Sequence, residues 1–395
     1  MMKWLILGAS FYMFFSCSAV TASERQDLKT LRFEVENRII LDEEFFWLTR
    51  VQADRTLDRI SRAGFNVFMP AVWHGRGVSW PSKLAPKEPR WDDLSPSSTD
   101  DPLKYLIEKA HAKGIEVHPW FTVVLKQREF LKEFFDDGTP GEAFNVHLPA
   151  FRKYIVAVIM EVVARYDVDG INLDYVRSGM HECGSANYYC DVCVSEFCIA
   201  DYKLKFGRNL RRDLTLVKTN LDQAAFSSIA SWNEMAVEDI ILSLRIRMKA
   251  VKPNVILSVD SHAGYDWVRF QGADSIKWAN DGLIDLILHM EYGNFESFRW
   301  PLINGALQAL TDPQKLVVMV GNYESSKWNK DKVWSREAKE TASLLKYSRE
   351  LSENAGAAAL YCYSFLTDDQ IDAIRTSTFN TPAAPRWGKK RLKPK

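Results

Sequence analysis

Net charge is the first thing absent. The 395 residues carry 51 Lys and Arg against 51 Asp and Glu, so no summed positive field exists to hold nucleic acid or an anionic membrane as the main partner. Neither His-x-His nor His-Glu-x-x-His occurs, which removes the commonest two-histidine metal grips. The apolar run Trp4 to Phe15 is too short to cross a bilayer as a helix. A neutral ligand fits these absences best.

Cysteine is scarce and uneven: four of the six, Cys183, Cys190, Cys193 and Cys198, fall together. Lys3, the apolar run and small residues through Ala22 have the layout of a secretory signal. Residues 1–22 are therefore expected to direct export, to a periplasmic, extracellular or outer-membrane location. Val20-Thr21-Ala22 suits ordinary cleavage, while Phe14-Phe15-Ser16-Cys17 loosely matches a lipoprotein box that would anchor the chain through an acylated Cys17. Outside the cytosol an even cysteine cluster is expected to form disulfides. A zinc site built on Cys190-Asp-Val-Cys193 with Cys183 and Cys198 is the alternative, and Cys362 is expected to be a buried free thiol.

Periodicity predicts strands near 38–48, 66–72, 115–121, 170–175, 255–260, 283–291, 316–321 and 357–364. Helical patterns alternate with them, among them 53–63 ended by Gly64, 148–165, 232–251 and 335–354. Eight such repeats imply a closed (β/α)8 barrel spanning 31–378, with a cysteine-containing insertion at about 178–230 after the fourth strand. Residues 379–395 are expected to be a basic, solvated tail.

In such a barrel the reactive groups stand at the C-terminal ends of the strands. That rim is predicted to gather Trp73, His74, Arg76 and Trp80; His118 and Trp120; Asn172, Asp174 and Arg177; Asp260 and His262; His289, Glu291 and Tyr292; Asn322 and Glu324. Glycosidic hydrolysis needs one carboxyl to protonate the leaving oxygen and a second as nucleophile or base. Asp174 is assigned as nucleophile or charge stabiliser, its pKa held low by Asn172 and Arg177. Glu291 is assigned as acid/base, with Asp260 next in line. Trp73, Trp80, Trp120 and Tyr292 would stack on sugar rings, and the remaining polar groups would bind hydroxyls. Each acid could instead be a structural ion pair and each histidine a satisfied hydrogen bond. The rival functions are a catalytically silent carbohydrate-binding barrel and a metal-dependent polysaccharide deacetylase. No cofactor is expected.

Several segments resemble the bacterial family-10-like glycosylhydrolases: Ala63-Gly64-Phe65-Asn66, Trp80-Pro81-Ser82, Asp101-Pro102-Leu103, Ala110-His111-Ala112-Lys113-Gly114, the stretch 161–177 with its Asp-Gly-Ile-x-x-Asp-Tyr element, and 282–287 with Met290-Glu291-Tyr292. The resemblance implies an exported, often lipid-anchored barrel that hydrolyses a cell-envelope or extracellular polysaccharide, peptide-free peptidoglycan strands being one substrate of the group. It also implies that Asp174 matches the aspartate ending strand four, and that the cysteine cluster is structural.

Overall fold

The computed structural model describes residues 35–94, 100–127, 129–180, 191–220, 222–326 and 332–386. Eight parallel strands form its centre: β1 (Asn37–Asp42), β2 (Val67–Trp73), β3 in two pieces (Glu116–Val117 and Trp120–Thr122), β4 (Gly170–Asp174), β5 (Ile256–Ser261), β6 (Leu286–Glu291), β7 (Leu316–Gly321) and β8 (Ala357–Tyr361). Each pairs with the next. The ring closes through β1, with Asn37 opposite Ala357 and Ile39 opposite Val67. Strands covered on both faces read as unbroken apolar runs rather than alternating ones, as in Leu316-Val317-Val318-Met319-Val320, buried throughout.

Helices alternate with the strands as expected. The first, α1 (Arg50–Ala63), starts with a capping box between Thr49 and Gln52 and stops at Gly64 in the left-handed region. The next, α2 (Pro102–Ala112), starts at Asp101, whose side chain accepts from the Lys104 amide. α3 (Pro149–Arg165) leads into β4. Two of the family-like segments interlock at the base of the barrel. His111 Nε2 lies 2.8 Å from Asp169 Oδ2, which also accepts the Val117 amide at 3.0 Å. Those motifs therefore tie α2, β3 and β4 together rather than contact a ligand.

The single strand expected at 115–121 is split at His118-Pro119. The His118 ring, expected at the rim, turns into the barrel and occupies the space left by Gly170, where a Cβ would come within 2.3 Å of His118 Nδ1. It is fully buried, with Nε2 3.3 Å from Glu116.

The insertion after β4 folds as α4 (Glu196–Phe206) and α5 (Leu210–Asn220) against the long α6 (Gln223–Val251). A second apolar core of Tyr202, Leu210, Val217, Ile229, Trp232 and Phe270 holds it together. Cys193 and Cys198 form a disulfide at the start of α4. Two of the four thiols of the zinc alternative are thus already joined to each other, while Cys183 and Cys190 lie outside the described residues. Cys362 is a buried free thiol.

Beyond β6 come α7 (Trp300–Ala309) and α8 (Ala338–Leu351). The chain does not leave the barrel at 378. Phe379 is fully buried against Phe65 and beneath the Arg38 guanidinium, Thr381 O accepts from Arg38, and the Arg386 amide donates to Asn37 Oδ1. Residues 1–34, with the expected signal and Cys17, and 387–395 lie outside the described residues.

Candidate active site

A cavity of about 750 Å³ opens at the C-terminal end of the barrel. Successive strand ends supply its walls: Glu43 after β1, His74 after β2, Trp120 from β3, Asp174 from β4, His262 after β5, Tyr292 after β6 and Tyr361 from β8. Arg177 completes the side below Asp174.

Asp174 ends its strand on a turn whose next residue, Tyr175, has φ 48°. This left-handed step, rare for a non-glycine residue, aims the Tyr175 amide back at the carboxylate, 2.6 Å from Oδ1. The expectation of a low Asp174 pKa is overturned. Burial pushes it up to about 6, against the opposing pull of Arg177 and the Tyr175 amide. Neither expected partner is free to hold it down further. The Arg177 guanidinium is anchored on the carbonyls of Gly179 and Met180, and the Asn172 amide donates to both oxygens of Asp260 at 3.0 Å. Burial, then the neighbouring Asp174 charge, pushes Asp260 well above the usual carboxylate range. A void of about 10 Å³ is lined by both acids. Two carboxyls so placed cannot both ionise cheaply, and Asp260 keeps the proton longer.

Glu43 was not among the residues expected at the rim. Its carboxylate accepts the Tyr361 hydroxyl, and burial raises its pKa while that bond opposes the rise. The first strand was expected somewhere within 38–48, which left its end, and so this position, unassigned. It ends at Asp42, whose carboxylate accepts the amides of Glu44 and Phe46 and so turns the chain. The run of three acids, Asp42-Glu43-Glu44, was the available signal.

Strand parity removes other expected residues. Glu291 sits opposite Val320 and His289 opposite Val318, on the face turned to the helical layer, whereas Met290 and Tyr292 of the same segment line the cavity. Glu291 therefore contacts His289 Nε2 at 3.3 Å rather than the cleft. Burial lowers the His289 pKa. A register shift between Ala71 and Trp73 turns Trp73 outward against Phe130, Phe144 and Tyr154. Trp80 is fully buried and donates its indole N–H to Glu161 at 3.0 Å. The Arg76 guanidinium pairs with buried Glu88 and reaches Gln127 at 3.2 Å. Asn322 is consumed by Gln370 and the Cys362 amide, and Glu324 lines a separate cavity. His74, Trp120, Asp174, Arg177, His262 and Tyr292 do converge on the cleft, with Asn172 and Asp260 directly behind Asp174. His74 is pushed down to about 4 by burial and then by Arg76 and Arg90, so it is a neutral ring. Among the described residues no group of three or more His, Cys, Asp or Glu side chains is spaced to hold a metal ion.

A closed (β/α)8 barrel with carboxylates and aromatic rings gathered at its C-terminal mouth is a glycoside-hydrolase-like architecture. Residues 39–300 match the family model of Glycosyl hydrolase-like 10, and the chain belongs to that family. It is 24% identical over 290 residues to glycosyl hydrolase DigH of Escherichia coli K12, covering 60% of this chain and 57% of that one. With glycosyl hydrolase YngK of Bacillus subtilis it is 22% identical over 269 residues, covering 60% and 48%. The chain thus spans about half the length of these relatives. Among solved structures, the PgaB (BpsB) glycoside hydrolase domain from Bordetella bronchiseptica shares the fold with a TM-score of 0.60 at 11% identity, over 88% of this chain and 100% of that one. A β-galactosidase from Bacillus circulans sp. alkalophilus superposes with a TM-score of 0.58 at 10% identity, over 88% and 56%.

Proposed function

We propose that the protein is an exported glycoside hydrolase that cleaves a cell-envelope or extracellular polysaccharide using Asp174 and Glu43. One observation carries this reading: two carboxylates at the ends of different strands, buried Asp174 and half-buried Glu43, face one cavity whose walls include Trp120, Tyr292 and Tyr361. Asp174, lifted to about 6, retains a proton at mildly acidic pH and suits the general acid that protonates the leaving oxygen. Burial raises the Glu43 pKa and the Tyr361 hydroxyl opposes the rise; as the second carboxylate on the cavity wall, Glu43 is assigned as base or nucleophile. Asp260, clamped by Asn172, stores a second proton behind Asp174. Arg177 and His262 are placed to meet sugar hydroxyls, and the aromatic rings to stack on sugar faces. The names of the relatives, both glycosyl hydrolases, support the reaction class, and the signal-like residues 1–22 support export.

The test is reducing-end release from a panel of envelope polysaccharides, with products identified by mass. Asp174→Asn and Glu43→Gln are each expected to lower the rate by about 10²–10⁴-fold while polysaccharide binding persists. Wild-type activity is expected to fall as pH rises through about 6, where Asp174 loses its proton. A wild-type protein that binds glycans but releases no ends from any of them is a carbohydrate-binding barrel instead.

A further inference from the structure

A second cavity, of about 720 Å³, adjoins the first at Tyr292, which lines both. Its far wall is an antiparallel hairpin, Tyr323–Ser325 paired with Val333–Ser335, that rises after β7. An aromatic track crosses the boundary. Tyr361 stacks on Tyr292 at 4.8 Å, Tyr292 meets Tyr323 at 6.0 Å, and Trp334 stands on the facing hairpin strand.

Trp334 is 42% exposed, unusual for so large an apolar ring. Its indole N–H donates to Glu324 at 3.1 Å, which fixes the ring's direction. The base of the hairpin is rigid as well. Arg336 donates to the carbonyls of Tyr292 and Tyr323 and pairs with Glu340, so the hairpin is locked to the strand end that carries Tyr292. Around these rings lie Asn294 and Ser325 with one carboxylate, Glu324, and one guanidinium, Arg336, a mixed polar set that matches hydroxyls rather than one sign of charge.

Each cavity has the size that holds one small ligand. A ligand that fills both is therefore longer than either. Resting on the glycoside-hydrolase reading, we propose that the second cavity is a distal subsite for further sugar residues of the same chain, stacked on Trp334 and Tyr323. The substrate is then an oligosaccharide or polysaccharide gripped on both sides of Tyr292, not a terminal monosaccharide.

The test uses the full chain carrying Asp174→Asn, so that nothing turns over, titrated with length-fractionated glycans: peptide-free cell-wall strands, chitin oligomers and β-glucan oligomers. For the glycan bound best, long fractions are expected to bind about tenfold tighter than the shortest, the scale of one stacked ring. Trp334→Ala is expected to erase that length advantage and leave the shortest fraction's affinity unchanged. Trp334→Phe, which keeps an aromatic face, should restore most of it. A length advantage that survives Trp334→Ala, the absence of any such advantage, or binding of extended peptides in place of glycans each overturns the proposal. Loss of turnover in the Asp174 variant with length-independent binding leaves the catalytic reading standing and removes the subsite alone.

Discussion

Asp174 shows how one side chain can be both catalytically suited and structurally costly. Unfolded, an aspartate releases its proton near 3.8; folded, Asp174 holds it to about 6. Between those values the folded state binds more protons, so stability falls as pH rises, and the loss is complete above about 6. A lift of this size corresponds to about 3 kcal/mol. Asp174→Asn is therefore expected to be more stable than wild type at pH 8 by up to that amount, with the gap closing below about pH 4. Chemical denaturation at the two pH values measures it, and a variant less stable than wild type at pH 8 contradicts it. Asp174 itself was legible from its place at the end of an apolar run. Its charge state was not, because burial and the diversion of Asn172 to Asp260 belong to the folded surroundings.

Among the elements, β6 and β4 carry the clearest lessons. The order of strands and helices was readable throughout, and β7 runs over 316–321, the range its pattern predicts. What a strand pattern leaves undecided, when both faces are buried and apolar, is which face looks inward. His289 and Glu291 were correctly placed on one face of β6, and it is the outer one. In β4, Gly170 leaves room for the His118 ring of the neighbouring β3. Gly170→Ala is expected to lower stability by about 1–3 kcal/mol or more through overpacking, seen as a lower thermal midpoint. An unchanged midpoint would show that the ring has somewhere else to go.

For the whole molecule, one end of the barrel is covered by a segment whose composition reads as tail. Residues 379–386 cover the N-terminal end of β1, with Phe379 buried, Ala384 bridged to Val35, and Ala383 O accepting from Asn66. Ending the chain after Thr378 is expected to cost about 3–5 kcal/mol, the scale of losing one buried Phe, and to expose Arg38 and Asn66. A truncated protein with an unaltered unfolding midpoint would refute this. The basic composition of 386–395 gave no sign of the packing, since Arg386 works through its amide and its guanidinium contact to Ala355 O rather than through net charge.

Local rules, then, were enough for the element order, the barrel and the aspartate ending β4, because hydrophobic periodicity acts within a few residues of chain. Only the closed barrel decided that Glu43 faces the cleft and Glu291 does not, that Trp73 and Trp80 are core, and that Asp174 titrates near 6. Each of those depends on where a strand stops or which way its pleat turns once eight strands share one ring, and contacts from tens to hundreds of residues apart set both.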